Sequence, residues 1–324
     1  MKPRLRVLNA ESLDYSESAR AILRSFCDLD EGTLDRADLL ERARNYDVVI
    51  VRLGHRVDEE MLLSGMQLKA VVSATTGLDH IDLAAAARRG VDVLSLKGEA
   101  EFLARVTATA EHTWALLLAL VRKLPAAVED VRQGHWRRDL FRGRELSGLT
   151  LGVIGYGRLG RMVARYGVAF EMRVLVCDVK PVGSLPEGVR ACSLDQVLAG
   201  SDVVSLHVPL DATTERMIGV RELACMKHGA ILINTSRGEI VDEAALLAAL
   251  DSGQIGGAAL DVLASELPGP GTMMTHPVVA RACGSGNLLI TPHIGGGTWD
   301  SMRKTEEFMA ERLRAWATRN GFVS

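Results

Sequence analysis

The sequence lacks the features that mark membrane, secreted and nucleic-acid-binding proteins. No apolar run reaches about 18 residues, and the N-terminus has no apolar stretch of signal-peptide length. The five cysteines are scattered without a CxxC pair or a metal-ligand spacing, so they indicate neither a disulfide framework nor a metal site. A net charge of -3 gives no general attraction for nucleic acid or lipid. We expect a cytoplasmic protein with reduced thiols, no bound metal, and no nucleic-acid or membrane partner.

The chain is long and apolar enough for two domains, with 324 residues of which 48% are hydrophobic. Short β-rich runs alternate with Ala- and Leu-rich stretches at helical spacing, which predicts an α/β fold with parallel sheets. The first series of predicted strands covers residues 5–8, 48–51, 70–74 and 91–96. The second covers 150–154, 174–177, 203–207, 231–234, 257–260 and 288–290. Two doubly wound parallel-sheet domains follow from this pattern.

The order of the two series predicts an inserted domain. A dinucleotide-binding domain at 99–294 would interrupt a flavodoxin-like substrate domain formed by 1–98 and 295–324, to which an amphipathic helix at 299–316 returns. A long helical pattern at 101–123 is apolar on more than one face. Two explanations of that apolar surface stay open: the helix packs inside the fold, or it forms a subunit interface.

A glycine-rich turn carries the firmest local signal. In TLGVIGYGRLG, a GxGxxG motif follows a predicted strand and opens a predicted helix. Gly155 suits the tight turn, Gly157 allows the backbone to approach a pyrophosphate, and Gly160 lets the helix pack on the strand. Asp178 ends the next strand, where a carboxylate binds ribose hydroxyls and repels a 2′-phosphate. The cofactor is therefore expected to be NAD.

Three residues at strand ends suit hydride transfer to a 2-oxo acid. Arg237, in NTSRG, could hold a carboxylate and polarise a carbonyl, although an arginine after a strand is more often a surface ion-pair partner. His293, in TPHIGGG, has the most constrained setting of the eight histidines and suits an acid/base, whereas His207 looks structural. Glu266 could hydrogen-bond the other ring nitrogen of His293.

Six motifs in order resemble the D-isomer-specific 2-hydroxyacid dehydrogenases over nearly the whole chain. They are TTGLDHID (75–82), ELSGLTLGVIGYGRLG (145–160), HVPLDATT (207–214), NTSRGEIVDEAAL (234–246), GAALDVLASE (257–266) and TPHIGGGT (291–298). The resemblance implies an NAD-dependent oxidoreductase acting on a small 2-hydroxy or 2-oxo acid, and a homodimer to which the helix at 101–123 contributes.

The resemblance also implies residue roles. Arg237 would bind substrate, His293 would be the acid/base, and Glu266 would orient it. Backbone amides around Thr76, Gly77 and Leu78 would meet the substrate carboxylate. The implied cofactor contacts, beside the three glycines, are Thr76, Arg158, Leu159, Asp178, Val208, Thr214, Thr235, Ser236, Asp261 and Gly295.

Departures from the family pattern bear on the substrate. Leu267 precedes Pro268 where the family usually places proline directly after the glutamate, and the segment after Lys97 lacks the usual proline and asparagine. Glu266 argues against formate oxidation, and Thr76 argues against phosphite oxidation. Arg52, Lys97 and Arg105 could bind a second anionic group on the substrate, such as a phosphate, phosphonate or carboxylate, but unliganded surface cations explain them equally well.

Two other classes remain open on sequence alone. A regulatory protein resembling the family's transcriptional corepressors would keep the fold and the NAD site but act through a protein partner. A protein like S-adenosylhomocysteine hydrolase or alanine dehydrogenase would share the glycine turn, but it gains no support from the surroundings of Arg237, Glu266 and His293.

Overall fold

The chain forms two α/β units in a computed structural model that describes residues 4–264, 266, 272–284 and 286–323. The first unit runs to Val106 and resumes at Thr298, and the second comprises Thr107–Gly297. The sequence analysis predicts the corresponding domain boundaries after residues 98 and 294.

The first unit is built on a five-stranded parallel sheet. Its strands are β1 (Leu5–Asn9), β2 (Cys27–Glu31), β3 (Val48–Val51), β4 (Ala70–Ser73) and β5 (Asp92–Ser95), in the order β2-β1-β3-β4-β5. Its first helices are α1 (Glu17–Phe26), α2 (Arg36–Ala43), α3 (Glu59–Ser64), α4 (Leu83–Arg88) and α5 (Ala100–Leu103). This is the flavodoxin-like order, in which the direction of winding reverses between β1 and β3. The predicted fold class is confirmed for this unit.

The second unit is built on a seven-stranded parallel sheet. Its strands are β6 (Thr150–Ile154), β7 (Arg173–Cys177), β8 (Val189–Ala191), β9 (Val203–Leu206), β10 (Ala230–Asn234), β11 (Ile255–Leu260) and β12 (Leu288–Ile290). Their order is β12-β11-β10-β9-β6-β7-β8. The six positions that start at β8 reproduce the Rossmann order, and β12 extends the sheet.

The helices of the second unit cover both faces of this sheet. They are α6 (Ala108–Val121), α7 (Leu124–Arg132), α8 (Arg158–Ala169), α9 (Leu194–Gly200), α10 (Val220–Cys225), α11 (Glu243–Asp251) and α12 (Pro277–Cys283), with 3₁₀ turns at Arg138–Phe141, Gly238–Ile240 and Thr272–Thr275. One core lies under α6 and α8, and the other lies under α9 to α12. Side-chain caps fix where several helices begin, as at Ser193, which forms a capping box with Gln196.

The last helix, α13 (Trp299–Arg319), belongs to the first unit. It packs beside α1, and its apolar face, with Met309, Leu313 and Trp316, joins the core formed by β1, β3 and β4. The hydroxyl of Thr298 caps its first turn by accepting from the amide of Ser301. The structure thus groups the C-terminal helix with the first unit.

The structure differs from the sequence-based predictions in two respects. β2 and β8 were not predicted, because both are short edge strands with polar sequences, CDLDE and VRA. The single long helix expected at 101–123 is two helices, α5 and α6, interrupted at residues 104–107. Trp114, Leu117 and Leu120 of α6 are buried within the second unit, so the apolar surface of α6 serves that unit's own core.

None of the helices that the structure describes is long and apolar enough to cross a bilayer. Within the same residues, no cluster of three or more histidine, cysteine or carboxylate side chains has the arrangement of a metal site.

Candidate functional site

The glycine turn has the geometry that a dinucleotide requires. Gly155 has a φ of +90°, and a Cβ there would lie 2.5 Å from the carbonyl oxygen of His207. At Gly160 a Cβ would lie 2.0 Å from the carbonyl oxygen of Gly155, so only glycine lets α8 pack this closely on β6. Gly157, in contrast, faces open space within 4 Å, which leaves room for a ligand against its backbone. The close contacts therefore require glycine at positions 155 and 160, whereas the role of Gly157 beside a pyrophosphate stays a prediction.

The surroundings of the turn fit the pyrophosphate and the adenosine ribose of NAD. α8 begins at Arg158 without a side-chain cap, so its first amides point to the space beside Gly157. Asp178 accepts from the amides of Tyr156, at 2.7 Å, and Lys180, at 2.9 Å, and each carboxylate oxygen keeps capacity for a ribose hydroxyl. Burial lowers the pKa of Arg158, the first residue of α8. Leu159 packs on the core beneath the same turn.

His207 and Val208 lie next to the glycine turn, close to Gly155. Burial lowers the pKa of His207 to about 4, so this ring is neutral near pH 7. Its Nε2 lies 2.8 Å from Ser205 Oγ, whereas the buried Nδ1 has no partner among the described residues. The Thr214 hydroxyl donates to the carbonyl of Pro209 and accepts from the amide of Asp211. That hydroxyl therefore shapes the loop, and any cofactor contact of Thr214 remains a prediction.

Arg237 stands on a turn that its neighbours hold rigidly. The side chain of Asn234 bonds to the backbone of the turn twice. Its Nδ2 donates to the carbonyl of Arg237 at 2.8 Å, and its Oδ1 accepts from the backbone amide of Ser236 at 3.0 Å. The Ser236 hydroxyl donates to the carbonyl of Leu206, and the Thr235 hydroxyl lies 2.9 Å from that of Thr113. The side chains of both cofactor candidates are thus engaged within the fold.

Gly238 brings this turn against the segment that leads to Glu266. A Cβ at Gly238 would lie 1.9 Å from the carbonyl carbon of Leu263, so no other residue allows this approach. The amide of Leu263 in turn donates to Glu266 Oε1 at 3.0 Å. The glycine beside Arg237 therefore couples the position of the arginine to that of the glutamate.

The structure brings Glu266 and His293 together as the sequence suggested. His293 Nδ1 donates to Glu266 Oε2 at 2.6 Å, and Nε2 has no partner among the described residues. A carboxylate in this position fixes the ring orientation and stabilises a protonated ring. The backbone of His293 has a φ of +53°, a left-handed conformation that is uncommon outside glycine. Leu267 and Pro268, where the family pattern departs, lie outside the described residues.

Asp261 anchors the loop that carries His293. Its side chain is 1% exposed and accepts from the amides of Ile294 and Gly295, at 2.9 and 2.7 Å, and from the Thr291 hydroxyl. His112 Nε2 lies 3.1 Å from the same carboxylate. The cofactor contact of Asp261 that the resemblance implies would therefore add to an anchoring role that the sequence did not reveal. His112 was also missed, because it stands among other polar residues in the first turns of α6 and nothing in the sequence links it to Asp261.

In the first unit, the loop after β4 presents unpaired amides. Thr75 donates its hydroxyl to the carbonyl of Gly77 at 2.8 Å and lies 2.9 Å from Ser73 Oγ, which fixes the bend. The backbone amides of Thr76, Gly77 and Leu78 donate to no acceptor in the part of the chain that the structure describes. Consecutive amides of this kind suit a carboxylate.

The three candidate cations for a second anionic group differ in their surroundings. Arg52 pairs with the carboxylate of Glu306 and donates to the carbonyl of Leu13 at 3.1 Å. Lys97 and Arg105 are exposed, and neither side chain pairs with any of the described residues. The structure brings none of these three into a common cluster, so the second anionic group stays a prediction.

A doubly wound sheet with a glycine turn, and with a carboxylate at the end of the next strand, is typical of a dinucleotide-binding unit. The family model described as "D-isomer specific 2-hydroxyacid dehydrogenase, NAD binding domain" matches residues 114–295. The chain belongs to the D-isomer-specific 2-hydroxyacid dehydrogenase family, and NAD is the cofactor of its second unit.

Individual relatives agree with this assignment. A hydroxypyruvate reductase of Thermotoga maritima is 34% identical over 281 residues, which are 86% of this chain and 88% of the relative. A D-3-phosphoglycerate dehydrogenase of Archaeoglobus fulgidus is 38% identical over 86% of this chain, which spans about half (51%) of that relative's length. The crystal structure of a D-lactate dehydrogenase from Aquifex aeolicus with NAD and lactic acid has a TM-score of 0.85 and 32% identity, and covers 97% of this chain and 96% of that one.

Proposed function

We propose that the protein reduces a small 2-oxo acid to the corresponding D-2-hydroxy acid with NADH, and catalyses the reverse oxidation. The observation that carries this proposal is the 2.6 Å bond between His293 and Glu266, next to the turn of Arg237 in an NAD-binding unit. Bound NADH supplies a hydride to C2 of the acid. The side chains of this chain supply the proton and the positive charge.

His293 is the proposed acid. Its Nδ1 is committed to Glu266, so a proton on Nε2 can pass to the carbonyl oxygen as the hydride reaches C2. The ring then regains a proton from solvent, and the net reaction consumes one NADH and one proton. Glu266 stabilises the charged ring and keeps Nε2 pointed outward.

Arg237 is the proposed binding group for the carboxylate and carbonyl of the acid. A guanidinium can donate two parallel hydrogen bonds, and its charge stabilises the negative charge that develops on the carbonyl oxygen. The amides of Thr76, Gly77 and Leu78 are proposed to bind the carboxylate as well, because they have no other acceptor in the described structure.

A substrate panel tests the proposed reaction. We expect the purified protein to oxidise NADH at a rate of order 1–10³ per second with at least one of glyoxylate, pyruvate and hydroxypyruvate, and to discriminate against NADPH through Asp178. Absorbance at the NADH band measures both. A protein that binds NADH tightly but turns over none of these acids would instead fit a corepressor-like regulator.

We also propose that the protein forms a homodimer. The segment after α6 is exposed and rich in apolar side chains, with Leu124, Val128 and Val131 on α7, then Leu140 and Trp136, the last 86% exposed. Exposed apolar patches of this kind mark protein interfaces. Because the apolar residues of α6 are buried in its own unit, the proposed contact lies at residues 124–140 rather than in the predicted helix at 101–123.

Light scattering tests the dimer. Changing both Trp136 and Leu140 to serine is expected to halve the measured mass of the wild-type particle, because the change removes the largest exposed apolar groups of the segment. Trp299→Ser, at an exposed tryptophan of the first unit, is the matched control. A wild-type monomer, or a dimer that survives the double change, would contradict the proposal.

The cytoplasm remains the proposed location. Its support is the scattered arrangement of the five cysteines, all of which are free thiols in the structure.

A further inference from the structure

Arg52 lies at a strand end of the first unit where doubly wound sheets usually bind their ligands. It directly follows β3, which lies between β1 and β4 at the point where the winding reverses. In doubly wound sheets, ligands bind outside the carboxyl ends of the strands at this reversal. The loop proposed to hold the substrate carboxylate follows the neighbouring strand β4.

The guanidinium of Arg52 is already neutralised by a buried carboxylate. Its side chain is 22% exposed and pairs with Glu306 of α13, whose side chain is only 2% exposed. The second oxygen of Glu306 accepts from the amide of Ser16 at 2.7 Å, which holds the carboxylate in place. The Tyr15 ring lies 5.5 Å from the guanidinium on one side.

Glu11 places a second negative charge beside the same residue. Its carboxylate accepts from the backbone amides of Arg52, at 2.9 Å, and Gly54, at 3.1 Å. Glu306 at the guanidinium and Glu11 at the backbone together bring two carboxylates to the one positive charge of Arg52. An anion brought to Arg52 would have to compete with a buried, hydrogen-bonded partner.

We propose that Glu306 is a specificity-determining residue that acts through Arg52, and that it selects for 2-oxo acids whose substituent on C2 carries no charge. This inference rests on the proposed function and narrows its substrate class. It opposes the sequence-based expectation that Arg52 binds a second anionic group. Glu306 is a positioning residue, since it contacts Arg52 and the amide of Ser16 rather than the reacting atoms.

Hydroxypyruvate and its 3-phosphate ester are a matched pair of probes, because they differ only in the charged group. The wild-type protein is expected to have a KM for the phosphate ester at least about tenfold above that for hydroxypyruvate, the size of one partly screened charge interaction. Glu306→Gln keeps an oxygen to accept from Ser16 but removes the charge, and is expected to lower the KM for the phosphate ester about tenfold. Its KM for hydroxypyruvate and its kcat are expected to stay within about twofold.

Glu307→Gln is the matched control, because it removes the same charge one residue further along α13, where the carboxylate meets Ser18. It is expected to change neither KM. If Glu306→Gln does not fold, Glu306→Met removes the same charge at similar volume. The ratio of the two wild-type KM values, for the phosphate ester and for hydroxypyruvate, also tests the inference without any variant.

A wild-type preference for the phosphate ester overturns the inference, as does a KM ratio that Glu306→Gln leaves unchanged. Failure of the wild-type protein to reduce any uncharged acid would instead refute the proposed function.

Discussion

Replacing His293 by asparagine is expected to lower kcat for 2-oxo acid reduction by about 10²–10⁴-fold, the usual contribution of a positioned general acid. Asparagine can still donate to Glu266 Oε2, so the loop should keep its path, but its amide cannot deliver a proton to the carbonyl oxygen. Hydride transfer would then build an alkoxide without a proton donor. Steady-state kinetics with hydroxypyruvate at saturating NADH measures the loss.

Two comparisons separate this effect from damage to the fold. NADH affinity, measured by fluorescence titration, is expected to stay within about threefold, because β6, which leads into the dinucleotide turn, is separated from β12 by β9, β10 and β11. His228→Asn, at an exposed histidine of the same unit, is expected to leave kcat unchanged. A His293 variant that retains wild-type turnover would remove this residue from the reaction.

Local sequence patterns predicted those parts of the fold that local physics dictates. Runs of β-branched residues such as the VVIV of β3 are buried on both faces and identify central strands wherever they occur. The polar edge strands β2 and β8 have no such signal, since their pairing partner, not their own sequence, makes them strands.

The same distinction applies to the candidate site. Glu266 and His293 could be paired from sequence because each follows a strand of one parallel sheet, and such strand ends share an edge. The pairs Glu306–Arg52 and His112–Asp261 join residues that are 254 and 149 positions apart. Neither leaves a periodic or spaced pattern in the sequence. Contacts of this kind emerge only when the fold closes, so local sequence patterns could not reveal them.

Replacing Arg237 by lysine is expected to reduce kcat/KM for the 2-oxo acid by about 10²–10³-fold, similar to the loss of a donor that stabilises a developing oxyanion. The backbone of the turn should survive the change. The side chain of Asn234 bonds to the carbonyl of residue 237, and Gly238 packs the turn against Leu263, and neither contact involves the side chain at 237. Lysine keeps the positive charge but offers a single ammonium in place of a planar fork, so it cannot donate to the carboxylate and carbonyl in parallel.

The kinetic signature of Arg237→Lys distinguishes substrate binding from a structural role. We expect the KM for the acid to rise and kcat to fall, while NADH affinity and the midpoint of thermal unfolding stay close to the wild-type values. Arg173→Lys, at an exposed arginine that begins β7, is the matched control and should behave as wild type. If Arg237→Lys keeps kcat/KM within about threefold, charge alone suffices at this position, and the bidentate interaction with the substrate is wrong.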